Sequence, residues 1–402
     1  MSATLRSERI ALDPPLPAAL RRDVEQGVYY CSDLIADARV DRAAGAWIEL
    51  DLLGVSDAEL SDLTRVVRDW VERTVASSLA YEDTIAREWG RPEAGFRATP
   101  EQVLASADLH SMGEGLVAYG PRLASVFGAL RELWDRLAAE VGATPLVLPA
   151  VATLEHMQRC DFLRQFPQLL SFVTHFREDF GVIDRYAEAC RRGDTESACA
   201  PPAQDMSSFR RMLRPAICYH VYPCFEGEQL AGDLRLVHAW GDCFRYESRN
   251  TTGLDRLFDF RMYEVVALGS ADAVHRWRSG MMERVVERFE ALGLPGRLKT
   301  SNDPFFVSGS VLKSTFQRAH DLKYELEVPF PNREGHLAVA SFNEHQDFFA
   351  SRFGITTRDG EVASSGCSAF GLDRILAALL VHHGTDVDAW PAPTRQTLGL
   401  NT

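Results

Sequence analysis

Cys243-Phe244-Arg245-Tyr246-Glu247 and, ten residues on, Phe258-Asp259-Phe260-Arg261-Met262-Tyr263-Glu264 are two β-type runs flanking a polar loop. The loop, residues 248–257, carries Asn250, Gly253 and Arg256. Side chains alternate across a strand. One face of the first run therefore presents Cys243, Arg245 and Glu247, and one face of the second presents Phe258, Phe260, Met262 and Glu264. Paired as a hairpin, the runs make a surface with an Arg, an aromatic ring and two Glu. That surface suits a nucleotide: a guanidinium forks onto phosphate, a ring stacks on a base, and a carboxylate accepts from an amino group. An ordinary antiparallel hairpin with an Arg–Glu pair gives the same pattern, so the hairpin alone does not decide function.

Composition bounds the rest. The 402 residues are enough for two domains, or for one large domain with an appendage. At 46% hydrophobic the chain can bury a substantial core. No run of 18 apolar residues occurs, so no membrane span is expected. The first nine residues carry charges and no apolar h-region, so no secretory signal is expected either. Eight cysteines without regular spacing fit a reducing, cytoplasmic setting. A formal charge of −14 argues against a broad nucleic-acid surface, because phosphate binding needs clustered Lys and Arg.

Residues 1–105 read as a small N-terminal α/β appendage and 106–402 as the main domain. In the appendage, 28–35 and 46–53 read as strands and 56–75 as an amphipathic helix with apolar Leu60, Leu63, Val66, Val67, Trp70 and Val71. Residues 90–99, rich in Gly, Pro and charge, read as a linker. A helix is expected over 121–141, with Pro121 at its first position, and a short strand over 144–148. From Leu213 the pattern turns sheet-like: a run over 213–223, then the hairpin, extended to Leu268. A helix over 271–292, a loop at Asn302-Asp303-Pro304-Phe305-Phe306, strands over 319–330 and 337–342, and a final apolar helix complete the order.

Two further groups carry chemistry. Phe370-Gly371-Leu372-Asp373-Arg374 opens the last helix, where Gly371 permits close approach and Arg374 on the first turn can reach a phosphate that the helix N-terminus also favours. Cys218, Glu264 and Cys367 form a conceivable metal set: two thiolates and a carboxylate suit zinc, and three protein ligands leave a fourth position open. No local spacing supports that set. Cys224 and Cys243 compete as ligands, and His220 shares the face of Cys218 if that stretch is a regular strand.

Together these pieces resemble the core of a class II aminoacyl-tRNA synthetase. Arg245-Tyr246-Glu247, the loop and Phe260 are similar to its second motif, and Gly371-Leu372-Asp373-Arg374 to its third. Cys243-Phe244-Arg245-Tyr246-Glu247 and Gly253-Leu254-Asp255-Arg256 resemble the zinc-dependent seryl-tRNA synthetases of methanogenic archaea. Closer still are their shortened relatives, the amino acid:carrier protein ligases. The likeness to these includes Phe166-Pro167-Gln168-Leu169, Cys218-Tyr219-His220-Val221-Tyr222-Pro223, Asn302-Asp303-Pro304-Phe305-Phe306, Leu322-Lys323-Tyr324-Glu325-Leu326 and Ser341-Phe342-Asn343-Glu344-His345-Gln346-Asp347. The ordered set covers roughly residues 110–390.

The resemblance implies an α+β fold, a mostly antiparallel sheet flanked by helices, in a homodimer. It implies zinc on Cys218, Glu264 and Cys367, with ATP and magnesium as the other cofactors. Arg245 would hold the α-phosphate, Glu247 the adenine amino group, Phe260 the adenine face, and Arg256 and Arg374 the outer phosphates; Asp303, Ser341 and Asn343 would line the amino-acid site. A small amino acid would become an adenylate and pass to the phosphopantetheine thiol of a carrier protein. There are departures. Ala369-Phe370 stands where many relatives have a Gly pair, and Met262 where the zinc-type seryl enzymes carry an Arg, which points away from serine. The first hundred residues exceed the short ligases. No long charged coiled coil of the kind that grips tRNA is present, which with the charge of −14 favours a protein acceptor over tRNA. A seryl-type tRNA synthetase and an inactive synthetase-like binding module are the alternatives; intact Arg245, Glu247, Arg256 and Arg374 count against the second.

Overall fold

A computed structural model describes residues 5–78, 84–90, 95–248, 251, 253–301, 322–332 and 335–400. Its centre is an eight-stranded sheet. In chain order the strands are β4 (Ile85–Trp89), β5 (Thr144–Pro145), β6 (Leu234–Phe244), β7 (Asp259–Gly269), β8 (Gly296–Thr300), β9 (Lys323–Pro329), β10 (His336–Gln346) and β11 (Ser364–Gly371). They lie in the order β4-β8-β9-β10-β11-β7-β6-β5. Every neighbouring pair is antiparallel except the short β5, which runs parallel to β6.

Alternation on the central strand β7 separates the two faces of the sheet. Tyr263, Val265 and Ala267 point into one core, with helices α2 (Pro121–Glu140), α3 (Ala271–Ala291) and α4 (Leu372–His383). Met262, Val266 and Leu268 point to the other, with Cys218, Val221, Tyr222 and Phe225. One face is thus closed by helices. The other is covered by turns, and that is where the chemistry lies.

The helices form where periodicity and end signals agree. In α2, Pro121 occupies the first turn and Leu123, Val126, Leu130, Leu133, Trp134 and Leu137 are buried. α3 starts at Ser270, whose hydroxyl accepts from Ala273 N, and buries Trp277, Met281, Val285, Val286 and Phe289. Trp134 stacks on Phe370 of β11, centroids 4.1 Å apart. The bulk of Phe370 therefore goes to the helical side, and Ala369 faces the turns, so the departure from a Gly pair puts no large side chain on that face.

Three expected strands differ. Residues 213–223 are not one extended run: a strand at Arg211–Leu213 gives way to 3-10 turns at Cys218–His220 and Tyr222–Phe225. Pro215 and Pro223 break a strand ladder, and the Cys218 and Ile217 amides bond a side chain instead. Residues 28–31 are likewise a 3-10 turn, with the strand displaced to β2 (Ile35–Val40). The strand expected over 144–148 pairs only at Thr144–Pro145. The hairpin is also longer than its motif suggests, since β6 begins at Leu234.

The N-terminal residues carry a separate sheet, β1 (Leu5–Ala11), β3 (Trp47–Leu53) and β2, packed under α1 (Asp57–Ser78). Val24, Ile48, Leu50, Leu52, Leu63 and Val67 form its core. β4, assigned to the appendage by sequence, is the edge strand of the large sheet, paired to β8. Gly296 is required there, because a Cβ would sit 2.5 Å from the Trp89 ring. No described helix is long and apolar enough to cross a membrane.

Candidate active site

Glu264 is the centre of the turn-covered face. β7 lies between β6 and β11, with Glu264 opposite Ala239 on one side and Ala369 on the other. It is almost wholly buried. Its carboxylate accepts from Ile217 N at 2.9 Å and Cys218 N at 3.1 Å, two consecutive amides offered by the 3-10 turn. That turn also aims the Cys218 thiol at the sheet, where Cys367 arrives from β11. The ligand atoms of Cys218, Glu264 and Cys367 all lie within 4.8 Å of one another, and all three residues are buried. Among the described residues this is the group with metal-ligand geometry; Cys224, Cys243 and His220 stand outside it.

The electrostatics follow from crowding acidic donors in a dry place. Burial, then the Cys367 charge, push the Glu264 carboxyl up to about 7, against the bonds from Ile217 and Cys218. The two thiols share a hydrogen bond. It and burial hold Cys218 well above the ordinary thiol range, while the same bond pulls Cys367 well below it. Asn343 Nδ2 reaches Cys367 Sγ at 3.3 Å and Ser341 Oγ at 3.3 Å. His345 Nε2 lies 3.9 Å from the same sulfur, and the Tyr222 hydroxyl is 3.2 Å from His345 Nδ1. Soft thiolates with one carboxylate, oriented by amides and an imidazole, fit zinc.

A second group adjoins the first. Arg245 stands just past the end of β6, its guanidinium 5.2 Å from the Phe260 ring centroid and its Nη2 4.0 Å from Met262 Sδ. Its Nε donates to Pro215 O at 3.0 Å, two residues before the amides that hold Glu264. Glu247 pairs with Arg256. Arg374, in the first turn of α4, donates to Asp255 O at 2.8 Å and Ala338 O at 3.1 Å. Burial pushes the Glu247 carboxyl up, but Arg256, Arg374 and Arg245 outweigh it and hold the group below the usual range. Burial, and then Arg256, lower the Arg374 guanidinium. Arg256, Arg374 and Arg245 thus converge on the Glu247 carboxylate, with Asp255 also acting on Arg374.

Arg245, Glu247, Arg256, Phe260 and Arg374 are therefore brought together, as are Cys218, Glu264 and Cys367, with Ser341 and Asn343 beside the second set. Asp303 and Asn250 lie outside the described residues. The sequence reading missed His345 and Tyr222. A period-two reading of Ser341, Asn343 and His345 on one strand was the available signal for His345; Tyr222 had none.

Residues 205–383 match the tRNA synthetase class II core domain (G, H, P, S and T). Amino acid–[acyl-carrier-protein] ligase 1 of Bradyrhizobium diazoefficiens is 36% identical over 316 residues, 75% of this chain and 91% of the relative. The chain belongs to the amino acid–[acyl-carrier-protein] ligase family. Ligase 2 of the same organism is 34% identical over 75% of this chain and 89% of its own. A type-2 serine–tRNA ligase of Methanopyrus kandleri is 27% identical over 70% of this chain, but only 56% of that protein is covered. In fold, the ligase is similar to M. kandleri SerRS solved in complex with A. aeolicus tRNASec, at TM-score 0.71 and 23% identity over 98% of this chain and 78% of that one. Since 98% of the ligase is covered, that likeness of fold takes in the N-terminal sheet, and the chain has the class II synthetase architecture throughout its catalytic region.

Proposed function

We propose that this ligase activates a small amino acid with ATP as an aminoacyl-adenylate and transfers it to the phosphopantetheine thiol of a carrier protein. The observation that carries the reading is the continuity of the two groups on one sheet face. Arg245, bonded to Pro215 O, links the cations around Glu247 to the turn that presents Cys218. A site with phosphate-binding charge at one end and a buried thiol–carboxylate set at the other suits a bent nucleotide beside an amino acid.

In this reading Arg245 holds the α-phosphate, and Glu247 accepts from the adenine amino group. Phe260 stacks on adenine, and Arg256 and Arg374 bind the outer phosphates, whose charge magnesium would help to neutralise. Zinc on Cys218, Glu264 and Cys367 would supply an open coordination position for the substrate α-amino group. Asn343 and Ser341 line the amino-acid pocket. The amino-acid carboxylate attacks the α-phosphorus, the bond to pyrophosphate breaks, and the guanidinium groups neutralise charge on the equatorial oxygens. The carrier thiol then attacks the acyl carbon, forming the thioester and releasing AMP. Little acid–base work is asked of the protein. The net charge of −14 supports a carrier protein over tRNA as acceptor. A cytoplasmic homodimer completes the proposal.

The deciding experiment is ATP–pyrophosphate exchange across a panel of amino acids, with holo carrier protein and bulk tRNA then offered in parallel. Exchange with a small amino acid and a matching mass gain on the carrier are expected. Loading of tRNA in place of the carrier overturns the acceptor, and absence of exchange with every amino acid overturns the activation step.

A further inference from the structure

The N-terminal unit touches the nucleotide end of the site, and it does so at the peptide between the two proposed ATP ligands. Beyond Phe244 the β6 ladder ends; Arg245 keeps one bond to its register partner Phe258, N to O at 3.1 Å, and residues 246–248 lie outside the pairing. Other partners hold them. Tyr246 N makes a long bond of 3.4 Å to Leu169 O. The Tyr246 carbonyl accepts from the Tyr30 hydroxyl at 3.1 Å, across 216 residues of sequence. Ser248 then turns with φ +53, in the left-handed region that a non-glycine residue enters only at a cost. A path of this kind needs external restraint.

Tyr30 is a firm anchor. It sits in the 3-10 turn Val28–Cys31, directly after Val28 and Tyr29, both buried in the N-terminal core. The Tyr29 hydroxyl donates to Asp37 at 3.0 Å and accepts from Ala38 N at 3.1 Å, tying the turn to β2. The Tyr30 phenol is raised by burial and then by Glu247, with Arg256 opposing, so both members of the ion pair act on it and it stays a donor.

We infer that Tyr30 is a positioning residue for the nucleotide: through its hydroxyl the N-terminal unit fixes the Tyr246 carbonyl, and with it the spacing of Arg245 and Glu247. This rests on the nucleotide reading given above. It assigns the N-terminal unit a part in ATP binding within its own chain.

The test uses the full-length, zinc-loaded protein and Mg-ATP. Tyr30→Phe keeps the ring and removes the hydroxyl that bonds the Tyr246 carbonyl, so the Kd for ATP by calorimetry rises about fivefold. The KM for ATP in pyrophosphate exchange rises in step, while kcat, the KM for the amino acid and the thermal midpoint stay at wild-type values. Arg374→Ala is measured beside it. Unchanged ATP affinity in Tyr30→Phe, with Arg374→Ala weakened, overturns the role of Tyr30, as does a fall in thermal midpoint with ATP affinity intact. If both variants bind ATP as the wild type does, the nucleotide reading itself fails.

Discussion

At Cys367 three separate reasons meet for one thiol to ionise: a bond from Cys218, a nearby imidazole and the Asn343 amide. A buried sulfur so equipped has the thiolate character that a metal ligand needs. Cys367→Ala is expected to lower the zinc content of the purified chain and to abolish pyrophosphate exchange; full zinc occupancy in the variant would remove Cys367 from the ligand set. Arg374 donates to two backbone carbonyls and stands next to Arg256, with Glu247 and Asp255 the carboxylates acting on it. Arg374→Ala should raise the KM for ATP by tenfold or more, about the loss of a charged hydrogen bond, and ordinary ATP kinetics would take it out of the site. Glu247 gives a pH signature. Its folded pKa lies below the free value of 4.5, so its contribution to stability is complete above that value and is lost as pH falls through the lower folded pKa. The stability gap between wild type and Glu247→Gln should therefore narrow in denaturant titrations taken progressively below about pH 4.5. A gap independent of acid pH would mean that Glu247 is not held by cations. Period-two alternation made Cys243, Phe260 and Glu264 legible as one face. The partners of Glu264 were not legible, because the 3-10 turn at Cys218–His220 comes from backbone amides finding a distant carboxylate, which no local pattern records.

Elements were readable where one periodicity ran unopposed. α2 and α3 start and stop within a residue or so of where their apolar stripes and end residues place them. The stretch after Leu213 was not, since Ile217, Tyr219, Val221 and Tyr222 have strand-like composition and yet fold into turns governed by Pro215, Pro223 and Glu264. Nor was the first half of β6, where Arg235 and His238 obscure the alternation that Val237 and Ala239 follow. The join between α2 and the sheet is a ring stack, Trp134 on Phe370 at an interplanar angle of 7°, with Phe289 of α3 alongside. Trp134→Ala should cost roughly 3–5 kcal/mol by the cavity it leaves. Urea unfolding checks this, and a loss under about 1 kcal/mol would mean that the helices seat on the sheet without it.

For the molecule as a whole, the sharpest question is where the N-terminal unit ends. Composition placed a boundary near residue 105, since residues 90–99 read as a linker. Side-chain pattern could not show that β4, only five residues long and mostly exposed, pairs with β8 and buries Trp89 against Gly296. Trp89 Nε1 donates to Leu294 O at 3.0 Å, and Arg97 N and Ala98 N both reach Val381 O at the end of α4. Residues 85–90 and 95–104 are thus woven into the large sheet and its helices, whereas 5–78 have a sheet and core of their own. Two truncations separate these cases. A chain beginning at residue 106 loses an edge strand and uncovers β8, and it should be recovered as aggregate. A chain beginning at residue 79 keeps the large sheet whole and should stay soluble, with amino-acid activation retained and ATP affinity lowered to about the level of Tyr30→Phe. Size-exclusion chromatography and calorimetry on the two chains decide it. Solubility of both would show that β4 is dispensable, and wild-type ATP affinity in the longer one would show that the N-terminal unit does not act on the nucleotide.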